Sequence, residues 1–186
     1  EMEVKTGERA DDFAFTSTDW RLLRECPRSL LFVSAKKWQR TKPVMAAVDL
    51  TSTVPEKIAL NDKIVATAKK LAEALNTELH VTAAIDIPDL LIDLDLIDPI
   101  SYTKQAKAEL KPRLQKLAKA HDLPEKVFRM KRGPVDKVIN SQAAKHRAQL
   151  VVMGTVGKPG IAQRLLGNTA EKVLRHLRTD VFAVKV

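Results

Sequence analysis

Residues 41–186 are expected to form an α/β domain: a doubly wound, parallel five-stranded sheet with helices on both faces. Three observations carry this expectation. Short apolar segments rich in strand formers alternate strictly with longer segments whose apolar residues recur at helical spacing, the pattern of a parallel sheet covered on both sides. The order β-α-β-α-β-α-β-α-β requires right-handed crossovers, and the strand order 3-2-1-4-5 is one of the few that remain. The chain has 186 residues and 45% hydrophobic content, enough for one well-buried domain or one domain plus an appendage.

The first strand is "PVMAAVDL" (43–50), which carries Asp49 at its end. The hydroxyls and proline of "TSTVPEK" open a helix. Ile58, Ile64, Val65, Ala68 and Leu71 give it a periodic apolar face up to about Asn76. The second strand is "ELHVTAAIDI" (78–87), followed by the apolar and acidic loop "PDLLIDLDLIDP". A helix over about 101–120 contains Pro112, which is expected to kink or break it. Leu110, Leu114 and Leu117 form its apolar face, opposite Lys104, Lys107 and Lys111. "KVFRMKR" (126–132) is the third strand. After Gly133 the helix "VDKVINSQAAKHR" carries Pro134 in its first turn. "QLVVMG" is the fourth strand, "TAEKVLRHL" a helix and "DVFAVKV" the fifth strand.

The first 40 residues stand outside this count. They hold one helix, "TDWRLLREC", and one strand, "RSLLFVSA". Without gaps, "TDWRLLRECPRSLLFV" (18–33) aligns with "TAEKVLRHLRTDVFAV" (169–184), pairing Thr18 with Thr169, Leu23 with Leu174 and Arg24 with Arg175. This reads as an internal repeat of the last helix and strand. Residues 1–40 are then the tail of a preceding repeat plus a linker around Trp38, and 41–186 a complete domain. The edge strand 181–185 needs cover. The matching strand 29–33, in the same chain or in a partner, is expected to pair with it.

Charge and cysteine content narrow the function classes. The net charge is +9, and Lys104–Arg147 holds 13 Lys/Arg against 4 Asp/Glu. A solvated helix face accounts for much of this excess. Aromatic residues make up 4% of the chain, too few for a base-stacking platform, which argues against nucleic acid. No apolar run is long enough to span a bilayer. The first residues lack the apolar core of a secretory signal. The single Cys26 forms no internal disulfide, and a cytoplasmic location follows by default. His80, His121, His146 and His176 have no zinc-site spacing, and no G-x-S-x-G elbow is present. The five Asp of 86–98 alternate with Leu and Ile without an EF-hand pattern.

The informative segment is "GTVGKPGIAQRLLGNT" (154–169), between the fourth strand and the last helix. Glycine lets a phosphate approach the backbone, and a helix N-terminus supplies N–H donors and the positive end of its dipole. Gly154 ends the strand, Gly157 follows in the turn and Gly167 precedes Asn168 and Thr169, which are suited to cap the helix. Lys158 and Arg164 add cations between them. The segment is neither a Walker A loop nor a dinucleotide fingerprint. In the order 3-2-1-4-5 it meets "VDLTST" at the switch point, where ligands of such sheets bind. Asp49 in that segment is either a ligand group or a helix cap.

These residues resemble the universal stress protein family. Its ATP-binding members carry G-x2-G-x9-G followed by Ser or Thr, and Gly154, Gly157 and Gly167 match that spacing. Asn168 departs from the Ser or Thr, with Thr169 one position later. "FTSTDWRLLRECP" resembles the end of the first repeat in tandem, E-type members. The resemblance implies an adenine nucleotide alpha hydrolase-like, Rossmann-like fold. It also implies ATP, with Mg²⁺, or a related nucleotide as ligand, and a further domain of the same kind as partner through the last strand. Asp49 would hold ribose, the backbone near Ala84 and Ile85 would read the adenine edge, and Val48 and Met153 would wall the base. The expected role is a stress-response sensor or adaptor. The alternatives are a slow ATPase or another nucleotide-dependent enzyme of this fold, and a carrier of an acylated nucleotide-like ligand. In the last case Leu90, Leu91, Ile92, Leu94 and Ile97 of the 86–98 loop would take the acyl chain. No general base for hydrolysis stands out, so ATP turnover is expected to be weak at most.

Overall fold

The computed structural model describes residues 3–6, 15–34, 37–87, 94, 96–155 and 166–185. Seven strands form one sheet: β1 (Glu3–Thr6), β2 (Leu30–Val33), β3 (Val44–Val48), β4 (Leu79–Ile85), β5 (Phe128–Arg132), β6 (Leu150–Gly154) and β7 (Asp180–Val184). Among the described residues five α-helices accompany them: α1 (Ser17–Glu25), α2 (Pro55–Leu75), α3 (Pro99–Ala120), α4 (Val135–Lys145) and α5 (Asn168–His176). The sheet order is β1-β2-β7-β6-β3-β4-β5. Its last five members, read from β5, give the anticipated 3-2-1-4-5, and neighbours among them are parallel. The sheet therefore has seven strands rather than five, because β2 and the unanticipated β1 extend it.

β3, β6 and β7 send alternate residues to two apolar layers, and β4 and β5 contribute to the first of them. Val44, Ala46, Val81, Ala83, Leu150 and Val152 meet Ile64, Val65 and Ala68 of α2 and Leu114 of α3 on one face. Met45, Val151, Val181 and Ala183 meet Ile139 and Ala143 of α4 and Val173 and Leu174 of α5 on the other. Leu23 of α1 joins this second layer and is fully buried, as its aligned counterpart Leu174 nearly is.

Strand β2 pairs antiparallel with β7 through Leu30–Ala183, Leu31–Phe182 and Phe32–Val181. This is the pairing expected for 29–33 and 181–185, realised within the chain. In the gapless alignment Leu31 is equivalent to Phe182, and the two face each other. Leu30 faces the equivalent of Phe32, and Phe32 the equivalent of Leu30. A local two-fold axis thus passes through the Leu31–Phe182 pair. Two closures beside the ladder obey it: Ser34 N–H donates to Asp180 Oδ1 at 2.8 Å, and Lys185 N–H donates to Ser29 Oγ at 3.1 Å. Across the same axis Trp20 receives the guanidinium groups of Arg24 and Arg175, 6.0 and 5.5 Å from its ring centroid.

Several local expectations are corrected. α3 runs unbroken through Pro112. Pro112 and Ala108, whose carbonyl loses its i+4 donor, are both exposed, so water can take over the lost bond. The third strand starts at Phe128, because residues Glu125–Val127 form a 3-10 turn. Pro134 occupies the N-cap position of α4 rather than its first turn. Helix α5 is preceded by Gly167 at its N-cap with no side-chain cap, so neither Asn168 nor Thr169 caps it.

Candidate functional site

A cleft of about 750 Å³ opens at the carboxyl ends of β3 and β6, within the size range of small-ligand sites. Val48 and Asp49 border it from β3, Met153 and Gly154 from β6, and Gly167, Asn168 and Thr169 from the start of α5. Ala84 closes it from β4. The switch point has therefore gathered the anticipated residues of all four segments. Ile85 stands apart: its side chain lies in the core and its carbonyl accepts the Gly133 N–H at 3.0 Å. Gly157, Lys158 and Arg164 lie outside the described residues.

Asp49 is shaped by its own turn. Its Oδ1 accepts from Thr51 N–H at 3.0 Å, Thr51 Oγ1 at 2.6 Å and Ser52 N–H at 3.2 Å, an Asx turn. It does not cap α2, whose N-cap is Val54. Oδ2 stays open toward the cleft, with Lys57 Nζ at 3.8 Å. The backbone of Asp49 is held from behind by Asn61, which is 7% exposed. Arg113 of α3 fixes the following turn: its Nη1 donates to the carbonyls of Leu50, Thr51 and Ser52 at 3.0, 3.1 and 3.0 Å.

Gly154 serves close approach. A Cβ at this position would lie 2.5 Å from Leu60 Cδ2 and 3.0 Å from Leu60 Cγ, so glycine lets the Leu60 side chain of α2 seat against the end of β6 without shifting. At the other wall, Gly167 N–H donates to Thr155 O at 3.1 Å and Gly167 O accepts from Glu171 N–H. The first N–H groups of α5 then face the cleft without a capping side chain. The opening of α1 is different. Thr16 and Asp19 form a capping box, with Thr16 N–H donating to Asp19 Oδ2 at 2.9 Å and Asp19 N–H to Thr16 Oγ1 at 3.2 Å. Thr16 is the aligned counterpart of Gly167. One copy of the helix carries its own carboxylate at its N-terminus, and at the other no side chain among the described residues caps the first N–H groups.

Lys57, Asn61, Thr51 and Tyr102 also border the cleft, and sequence reading passed over them. Asn61 had a signal, as an amide within the apolar stripe of α2. Lys57 and Tyr102 had none. Of the loop residues proposed to receive an acyl chain, Leu90, Leu91 and Ile92 lie outside the described residues. Leu94 is exposed and Ile97 is half-buried. Among the described residues no three His, Cys, Asp or Glu side chains converge on a metal position, and no helix is long and apolar enough to cross a membrane.

The model of the universal stress protein family matches residues 41–185. The chain belongs to the universal stress protein family. Universal stress protein E of Salmonella typhi is 35% identical over 181 residues, covering 96% of this chain and 58% of its own length. The protein of that name from Escherichia coli strain K12 is also 35% identical, over 96% of this chain and 57% of its length. A homolog from Haemophilus influenzae is 30% identical, over 98% and 60%. The chain thus spans rather more than half the length of these relatives. Among solved structures, a putative universal stress protein from Pseudomonas aeruginosa superposes with a TM-score of 0.76 at 26% identity, over 99% of this chain and 62% of that one. A universal stress protein from Archaeoglobus fulgidus, at TM-score 0.61 and 18% identity, shares the fold.

Proposed function

We propose that this universal stress protein binds ATP or a related nucleotide in the cleft between β3 and β6 and works as a cytoplasmic stress-response sensor or adaptor. The observation that carries the reading is the N-terminus of α5, uncapped by any side chain among the described residues, in one cleft with Asp49. Uncapped N–H groups at the positive end of a helix suit phosphate, and Lys57 adds a cation on the facing wall. Asp49 Oδ2 is an acceptor for ribose hydroxyls. Val48 and Met153 offer apolar walls to a base. Asn168 stands at the first helical position, where its backbone N–H serves a phosphate as that of Ser or Thr would. Mg²⁺ would be held by the phosphates and water rather than by a protein cage. In the same reading, residues 1–40 are the end of a preceding repeat whose own helix start, closed by Asp19, takes no phosphate.

A second reading has its own observation. Leu94, Leu96 and Ile100 are 58, 64 and 75% exposed, and Tyr102, two residues after Ile100, lines the cleft; large exposed apolar side chains suit a ligand with an acyl chain. Mass spectrometry of the freshly purified protein, native and then denatured, separates the two. A released adenine nucleotide supports the first reading. A released acyl-bearing species supports the second, and an empty protein that also ignores added Mg-ATP refutes the first.

A further inference from the structure

We infer a second anion site, for a phosphorylated small molecule, at the end of the sheet opposite the cleft. A cavity of about 400 Å³ lies where β6 and β7 begin and α4 and α5 end, and the linker 37–42 closes its side. Three observations single it out. First, Gln149 lines it and is 7% exposed. Its Oε1 accepts the Gln39 N–H at 2.7 Å, which fixes the amide orientation and leaves Nε2 buried with no partner among the described residues. An unpaired buried donor is costly unless something occupies it.

Second, Lys37, Lys42 and Arg147 line the same cavity, and among the described residues none of them is paired with a carboxylate. The one acid in the wall, Asp180, is already engaged by Ser34 N–H at 2.8 Å and Trp38 Nε1 at 2.6 Å. The carbonyl ends of α4 and α5 offset part of the positive charge, but they do not provide a partner for the Gln149 amide. Third, Arg147 has φ +51°, a left-handed conformation that arginine rarely adopts. The two other non-glycine residues with positive φ are Asn76 and Asp122, types that tolerate it. The Arg147 backbone closes α4 with Ala148 N–H donating to Ala143 O at 2.9 Å, a position usually given to glycine. Holding arginine there sets a guanidinium at the cavity rim at a cost in backbone energy. Several cations and a neutral amide donor around one small volume suit a doubly charged oxyanion better than a carboxylate, which one arginine satisfies.

The test follows the Gln149 side-chain amide by ¹H–¹⁵N NMR, assigned with Gln149→Glu. That variant keeps an acceptor for Gln39 and removes the donor. Inorganic phosphate and phenyl phosphate are titrated separately at constant ionic strength. The expected result is a saturable shift of the Gln149 amide. Tighter binding of phenyl phosphate would identify an organic phosphate ester as the ligand, and tighter binding of inorganic phosphate the free ion. Arg147→Gly should raise the melting temperature, because glycine suits the backbone, while weakening phosphate about tenfold or more. Shifts confined to Asn168–Ala170, shifts reproduced by sodium chloride, or unchanged affinity in Arg147→Gly would overturn the proposal.

Discussion

Asn61 clasps the backbone of Asp49 at two points: its Nδ2 donates to Asp49 O at 2.7 Å, and its Oδ1 accepts Asp49 N–H at 3.0 Å. An amide side chain on α2 thus completes hydrogen bonds that β3 leaves open at its last turn, and it aims the Asp49 carboxylate into the cleft. Asn61→Leu fills the space and strands both backbone groups, which should cost about 1–3 kcal/mol of stability. Nucleotide binding should fall further than in a core variant of equal destabilisation, such as Val65→Ala. Thermal melts paired with ATP titrations of the two variants would check this.

A side chain at Gly154 is expected to displace Leu60. The Cβ of Gly154→Ala would press on Leu60, and overpacking of this kind costs about 1–3 kcal/mol. Leu60→Ala in the same chain should recover part of the loss, because it removes the clashing atoms. A double-mutant cycle by urea denaturation reads the coupling directly.

Arg113 holds three successive carbonyls with one nitrogen, over a sequence separation of about sixty residues. Arg113→Met keeps the apolar stem and removes the donor. Amide hydrogen exchange should quicken at residues 50–54 and remain unchanged in β6 and β7. Slowed or unaltered exchange at 50–54 would show that the turn does not depend on this contact.

The stacked pair His80 and His146, with ring centroids 4.3 Å apart, makes stability depend on pH. Burial holds His80 below the usual imidazole range, against the pull of Glu78 and with Arg129 adding to the lowering. Burial also lowers His146, and the charges of His80, Arg129, Lys145 and Lys131 add to it. The unfolded chain, whose imidazoles titrate near about 6.5, therefore binds more protons than the folded one below that pH. The contribution is fully present above about pH 7.5 and is lost as pH falls through 6.5 toward the lowered folded values. The melting temperature should drop by roughly a few degrees between pH 7.5 and 5.5. In His80→Gln/His146→Gln that slope should flatten.

The order of strands and helices made the five-stranded core legible, because β3 and β6 are short, mostly buried runs of Val, Ala, Met and Leu and β4 is largely apolar and β-forming. β1 gave no such signal. "EVKT" is four residues long, polar at three of them, and follows its neighbour's register at the sheet edge. Asp49, Gly154 and Gly167 were readable because they sit at element ends, where local chemistry has meaning. Lys57, Asn61 and Arg113 owe their roles to how α2 and α3 lie against the turn after β3, and no local pattern encodes that. The cap of α5 was misread because Asn168 looks like a capping residue. The helix instead begins at Asn168 itself, with Gly167 in the cap position.

Calorimetric titration of the protein with Mg-ATP, alongside Gly167→Val, tests the central claim most directly. A valine at the cap would cover the first N–H groups of α5 while leaving Asp49 and its turn in place. The account predicts saturable heat with one nucleotide per chain in the wild type and its loss in Gly167→Val, with both proteins folded. No heat at millimolar Mg-ATP, or equal heat in the two proteins, would contradict it.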